Sequence, residues 1–525
     1  MDDKDIYSPE FPQRIAVSKN GMVSTAHDKA TEAGVEMLED GGNAIDAAVA
    51  AAFALGVCEP QASGLGGQTM MLFRDVNGRR TFALDGSSRA PNRATPGLLM
   101  KDERLLGHRA TTVPSTPAVL EYARKTYGKL PLSRILEPSI RLARDGFPIS
   151  PLLHDLMGRE EEKLRNRSAD RFLQDGISPH PIGTIFKQPE LAETFSRLAE
   201  KGIEEFYTGD IAHEMYEDMQ NHDGLLHLDD LAWIPWPIER RPISGRFESK
   251  RILSFPPPGA GRTLIEMLNL VSHFSLKERD LDKPRGCLLL AEIIRRAFID
   301  RRDRPFDPNF YPQVEDKRML KPDYSQLVAK QVRKRLKVHG ETTHLSVMDR
   351  EGNVVGLTQS IEQVFGACAM TPHLGFLYNN YLSAFEYKDI SHPYYLRPNA
   401  VPWASVAPTI VFHGRKPWLV IGSPGSERIT PAILQVLLRL EKGQNPLSAV
   451  SAPRLHCTLS GTVHLEASRM RSDVPVLLQK RGFKIRERDP FSFYMGCVQM
   501  VLCQDKEFIG VADLRRDGSA GGPNL

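Results

Sequence analysis

The segment from Thr342 to Ser360 restricts what this chain can fold into more than any other. Polar and apolar residues alternate from Thr342 to Met348 and again from Val354 to Ser360, with a Gly352-Asn353 turn after Asp349 between the runs. Period-two alternation on both sides of a turn is the pattern of a β-hairpin. Thr409 to Phe412 and Trp418 to Ile421 flank His413-Gly414-Arg415-Lys416 as a second pair, followed by a helix from Pro431 to Leu440. Met70 to Phe73 and Thr81 to Leu84 read as a third pair. Strand pairs with helices packed outside them point to a layered α/β sandwich.

The helices have their own punctuation. Ala33, Met37 and Leu38 recur at helical spacing within Ala30 to Glu39, and Gly41-Gly42 stops that helix. Asn43 is placed to cap the next one, and Ala44 to Leu55 is alanine-rich enough to pack closely on all sides, as core and not as a site. Between roughly 112 and 305 helical patterns dominate, including Pro117 to Lys129, Pro131 to Asp145 and Gly286 to Arg302. Phe255-Pro-Pro-Pro-Gly259 interrupts them and reads as the end of a strand, not as a polyproline ligand. Gly64-Leu-Gly66 fails as a dinucleotide fingerprint, because Thr69 takes the third glycine position and no strand leads into it. No long linker separates the halves, which suggests one interwoven domain encoded by two segments that meet at residue 342.

Of 525 residues, 41% are hydrophobic and 25% charged, which suits a globular protein with a large core. The 68 bases nearly balance the 65 acids, so no global field draws in nucleic acid or an anionic membrane, and neither is expected as a partner. The basic stretch from Val328 to Val338 reads as a solvated helix face or exposed linker. Six cysteines lack metal-ligand spacing and indicate free buried thiols, so neither a metal nor a cofactor is expected. The acidic, proline-broken amino terminus does not resemble a signal peptide, and no stretch reaches the roughly 18 apolar residues of a membrane span. A cytoplasmic location is the expectation.

Common catalytic signatures are missing: there is no G-x-S-x-G elbow, no H-E-x-x-H helix, no phosphate-binding G-x-x-x-x-G-K-[ST] loop and no catalytic-cysteine signature. What remains is a threonine opening a strand, Glu341-Thr342-Thr343-His344-Leu345-Ser346-Val347, which taken alone says little. Its surroundings say more. Gly41-Gly42-Asn43-Ala44-Ile45-Asp46-Ala47-Ala48, Ser63-Gly64-Leu65-Gly66-Gly67, Thr342 to Asp349 with Gly352-Asn353, and Phe365-Gly366 follow one another along the chain. Gly375 to Asn380, Ala407-Pro408-Thr409-Ile410, Gly422-Ser423-Pro424-Gly425 and Ala512 to Gly518 complete the series. In that order these blocks resemble the γ-glutamyltransferase (glutathione hydrolase) family of N-terminal-nucleophile hydrolases.

The resemblance implies an α+β, four-layer αββα sandwich and a precursor that cuts itself between Glu341 and Thr342. It would leave a large segment, residues 1–341, and a small catalytic segment, residues 342–525, held together as a heterodimer. The Thr342 hydroxyl would attack the preceding carbonyl, and hydrolysis of the ester would free an α-amine with a reference pKa near ~7.7 that can serve as base at neutral pH. The family pattern assigns the oxyanion hole to the backbone amides of Gly425 and Ser426, where such a donor is worth roughly 3 kcal/mol, although the family has a second glycine where Ser426 stands. It also places at Ser360 a hydroxyl that hydrogen-bonds the nucleophile.

The γ-glutamyl pocket departs from that pattern. The family's carboxylate-binding arginine falls on Ser87; an extended segment would put Arg89 on the same face, within reach of a shifted anion. Paired serines read Ala404-Ser405, Glu362 replaces an asparagine yet can accept from an ammonium, Tyr381 replaces a glutamine, and Ala384 replaces an aspartate. The expected activity is hydrolysis, or transfer, of γ-glutamyl or related small amides such as glutathione through an acyl-enzyme on Thr342. Oxamate-type or cephalosporin-type amide hydrolysis without γ-glutamyl specificity is the alternative, and an uncleaved scaffold is the alternative of another class.

Overall fold

The computed structural model describes residues 14–165, 169–303, 305, 324 and 342–523. The first thirteen residues, the basic stretch 328–338 and Glu341 lie outside them.

Two seven-stranded antiparallel sheets lie face to face between helical layers. One runs in the order Ser519–Gly521, Gly21–Thr25, Thr343–Asp349, Val354–Ser360, Gln68–Asp75, Arg80–Gly86, Ile238–Arg240. The other runs Ile15–Ser18, Glu507–Ala512, Gln499–Gln504, Lys416–Gly422, Thr409–His413, Lys250–Ser254, Ile243–Phe247. Strands from before and after Thr342 therefore pair with one another in both sheets. Met22, Met70, Leu72, Met348 and Val354 of the first sheet meet Leu253, Ile410, Phe412, Val420 and Val501 of the second in a continuous apolar interior. Burial of this interior, at about 25 cal/mol per Å² of apolar surface, favours face-to-face stacking of the sheets.

The outer face of the first sheet is covered by Asp28–Glu39 and Ala44–Cys58, whose residues cluster with Leu345, Val347, Val355 and Leu357. Ala44–Cys58 starts from a capping box in which Asn43 accepts from the Asp46 backbone and the Asp46 carboxylate accepts from the Asn43 backbone. Its alanines let it lie close enough to the sheet for Gln359 Nε2 to donate to the Ala52 carbonyl at 2.9 Å. The outer face of the second sheet is covered by Gly261–Val271, Pro284–Asp303 and Ile429–Glu441. This is the four-layer αββα sandwich of the sequence expectation.

The middle of the chain corrects that expectation in one respect. Three strands between Ile238 and Ser254 interrupt what the sequence presents as helical, and the proline-rich turn ends the last of them before the Gly261–Val271 helix. Five cysteines are buried, while Cys503 is partly exposed. Among the described residues no helix is long and apolar enough to cross a membrane.

Candidate active site

Thr342 stands immediately before the Thr343–Asp349 strand and is 4% exposed. The next residue is fixed from two sides: Thr343 pairs with Gln359 in the hairpin, and its hydroxyl donates to Glu59, whose second oxygen accepts from Arg516 at 2.9 Å. Thr342 opens into a cavity of about 400 Å³, large enough for a small ligand. Glu362, Tyr381, Ala384, Ser405 and Ser426 line the same cavity, so side chains far apart in sequence converge on one place.

Ser426 sits at a left-handed φ of +51° and Gly425 at +111°, in the tight turn that carries the chain into the Ile429–Glu441 helix. A side chain in this region costs about 1–2 kcal/mol, which explains why a glycine suits the position. The turn is kept nonetheless, closed by Arg428 N donating to the Gly425 carbonyl. Among the described residues, neither the Gly425 nor the Ser426 N–H donates to another backbone carbonyl. Both remain as donors near a helix N-terminus, where developing negative charge is favoured.

Ser360 finds other partners than the resemblance implies. Its hydroxyl accepts from the Glu362 N–H at 2.9 Å and is hydrogen-bonded to the Tyr381 side chain, which also reaches Gln68. No side chain among the described residues hydrogen-bonds the Thr342 hydroxyl. Tyr381 is thereby a buried strut on the wall of the cavity, and burial together with the Glu362 carboxylate pushes its phenol above the ordinary range. Glu362 holds its position at a left-handed φ of +79°.

Arg89 is not brought to the cavity. The Arg80–Gly86 strand ends before it, Ser87 turns back to Asp85 at 2.6 Å, and the Arg89 guanidinium lies 5.4 Å from the centre of the Trp233 ring. Arg89 instead pairs with Val113 in an isolated antiparallel bridge, from which its guanidinium goes to Trp233 and not to the cavity. The buried cation on the cavity wall is Arg301, in the last turn of the Pro284–Asp303 helix. It donates to the Ala404 carbonyl and to the Ser405 hydroxyl at 3.4 Å, and it covers the Trp403 ring at 4.6 Å. Burial pulls it down to about 10. Trp403 packs edge-on against Tyr394, giving the cavity an aromatic side.

Glycines and asparagines support this arrangement from behind. A Cβ on Gly66 would lie 2.2 Å from the Leu377 carbonyl oxygen, and one on Gly67 would lie 2.5 Å from that of Ser360. Asn379 ties the crossing together, donating to Gly66 O at 2.7 Å and accepting from the Thr112 hydroxyl at 2.8 Å. The glycine run thus serves close backbone packing against the 377–379 segment and the end of the Val354–Ser360 strand.

A gamma-glutamyltranspeptidase family profile matches residues 30–522. The glutathione hydrolase proenzyme of Bacillus subtilis strain 168 is 35% identical, with 98% of this chain and 93% of that protein aligned. The acylase ACY 1 proenzyme of Pseudomonas sp. strain V22 is 31% identical over 96% of this chain and 94% of that one. Among solved structures, a cephalosporin acylase from Bacillus halodurans superposes with a TM-score of 0.88 at 27% identity, covering 99% of each chain. With a threonine-headed strand, a glycine turn and a full-length match in hand, this chain belongs to the γ-glutamyltranspeptidase family.

Proposed function

We propose that the chain is the precursor of a threonine amidohydrolase that cuts itself between Glu341 and Thr342 and works as a heterodimer of residues 1–341 and 342–525. The observation that carries this reading is the position of Thr342, at the head of a strand, opening into a cavity it shares with the Gly425-Ser426 turn. In processing, the Thr342 oxygen attacks the carbonyl of residue 341. The peptide nitrogen leaves as the new α-amine, and water splits the ester.

In turnover that amine takes the hydroxyl proton as the oxygen attacks the substrate amide, then gives it to the departing nitrogen. The Gly425 and Ser426 N–H groups hold the oxyanion. Water, activated by the same amine, hydrolyses the acyl-threonine. Every step is met by this chain and water, so neither metal nor cofactor enters.

The names of the relatives favour γ-glutamyl amides of the glutathione kind as substrates, with transfer to an amine in place of water as a variant of the same intermediate. A reading as an acylase without γ-glutamyl selectivity is favoured by one observation. Ala384 lines the cavity where an acid would hold an ammonium, and Tyr381 is committed to Ser360 and Gln68.

A denaturing gel of freshly purified protein, with amino-terminal sequencing of its fragments, tests the reading. A fragment beginning at Thr342, absent from Thr342→Ala, is expected. A folded wild-type chain that stays whole would refute it and support a non-catalytic scaffold.

A further inference from the structure

Away from the active-site cavity, one cluster of side chains carries donors of the kind that hold metal ions. His108, Asp218 and His222 each present a ligand atom within 4.8 Å of the other two, and among the described residues no other three histidines, cysteines or acids come so close. None of the three lines the cavity into which Thr342 opens. Asp218 and His222 stand one helical turn apart at the end of the Asp210–Asn221 helix, and the short His108–Ala110 turn lays His108 against them. His108 Nε2 lies 2.9 Å from one Asp218 oxygen and His222 Nδ1 lies 3.2 Å from the other, with the two rings stacked at 4.2 Å.

The charge in this cluster is incompletely matched. Asp218 is a buried carboxylate, yet among the described residues neither a lysine nor an arginine pairs with it; its side-chain partners are the two imidazoles and the Thr371 hydroxyl, which donates at 3.0 Å. A desolvated anion without a full positive charge beside it is unfavourable. Thr371 accepts in turn from the buried Tyr378 hydroxyl, so the carboxylate is oriented from behind, as metal-ligating carboxylates are. His222 is half-exposed and opens the cluster to solvent, which gives an ion a way in. Two ligands ~2.0–2.1 Å from a tetrahedral zinc ion lie about 3.3 Å apart, close to the two spacings around Asp218.

We propose that His108, Asp218 and His222 bind a divalent transition-metal ion of the zinc class, with water in the fourth position. On binding, bonds to the metal replace the His108–Asp218 hydrogen bond: the Nε2 lone pair goes to the ion, and the proton it carried passes through solvent to Nδ1. His222, the exposed member of the three, turns out of the ring stack to complete the site. Lying outside the cavity, the ion ties the Asp210–Asn221 helix to the His108–Ala110 turn and takes no part in amide hydrolysis.

The test uses the full chain without a histidine tag, stripped with a chelator and dialysed against Zn2+, Co2+ or Mg2+. Wild type is expected to take up one Zn2+ or one Co2+ per chain, to give the visible absorption of four-coordinate Co2+, and to melt at a higher temperature with Zn2+ but not with Mg2+. Zn2+ affinity should fall about tenfold or more in His222→Ala and in Asp218→Asn. It should be unchanged in His213→Ala, an exposed histidine of the same helix that serves as control.

His222 is exposed, so metal-free His222→Ala should unfold in urea as wild type does, which separates loss of a ligand from damage to the fold. A wild type that takes up no Zn2+, or variants His222→Ala and Asp218→Asn that bind it as tightly as wild type, would overturn the proposal and leave the cluster a hydrogen-bonded support between helix and turn. Thr342→Ala should bind Zn2+ as wild type does, so the result stands whether or not the chain cuts itself.

Discussion

Acid should weaken this fold through a histidine two residues beyond Thr342. His344 is 0% exposed between the two sheets, with Nδ1 at 2.8 Å from the Thr358 hydroxyl and Nε2 at 3.1 Å from that of Ser346. Gly422 of the opposite sheet leaves it room, since a Cβ there would lie 2.2 Å from the ring. Its neighbours are uncharged, and burial alone pulls it down to about 3. In the unfolded chain the ring titrates near ~6.5. The folded-state value is depressed, so the contribution of His344 to stability is complete above that pH. It is lost as pH falls from ~6.5 toward the folded value, because the unfolded state alone takes the proton. The slope is about 1.4 kcal/mol per pH unit, or about 2 kcal/mol lost by pH 5. Other groups titrate in this range, so the measurement is a difference: urea unfolding of Thr342→Ala and of Thr342→Ala with His344→Gln, at several pH values between about 7.5 and 5. The Thr342→Ala background removes the proposed self-cleavage from the comparison. The stability gap between the two proteins should shift by about 2 kcal/mol across that range. A gap that does not move with pH would show that the ring accepts its proton inside the fold, and would refute a neutral, dry His344.

Two substitutions probe the packing that supports Thr342. In Gly66→Ala the new Cβ meets the Leu377 carbonyl, a backbone atom that cannot rotate aside, so a loss of about 1–3 kcal/mol or more is expected in urea unfolding. Gly97→Ala, with nothing within 4 Å of its Cβ, is the matched control and should change stability by less than about 0.5 kcal/mol. Glu59→Gln keeps the shape but removes the carboxylate charge that faces the buried Arg516, for a loss of about 3–5 kcal/mol, and it weakens the acceptor that holds Thr343. Slower appearance of the Thr342 fragment on a gel time course should accompany that loss. Unchanged stability and processing would remove Glu59 from the support of the site.

What the sequence discloses and what it hides follow from how each feature is built. The Thr342–Ser360 hairpin is legible because period-two alternation and a Gly352-Asn353 turn are local properties. The same alternation misleads about exposure. Polar His344 and Ser346 face a second sheet, and every residue of Thr343–Asp349 is buried. Glu507–Ala512 and Gln499–Gln504 are a further pair, joined by a two-residue Asp505-Lys506 turn with both residues at positive φ. The strands between Ile238 and Ser254 give less: the first two are short, charged and at sheet edges, where solvent satisfies one side and no hydrophobic period is needed.

The site divides along the same line. Thr342 and the Gly425-Ser426 turn act through backbone geometry, and such geometry leaves local marks: a strand start, a glycine at positive φ, a helix beginning. Charges that select a substrate need only reach the cavity, and any element that ends there can supply one. Arg89 has the local mark but ends over Trp233. Arg301 has none, being one more arginine at the end of a basic helix until the fold sets it against Trp403 and Ser405. Reaction chemistry in this fold is therefore written in short segments, whereas substrate choice is written in contacts between distant ones. Two chains that share every one of these blocks can then differ in the side chains that line the cavity into which Thr342 opens.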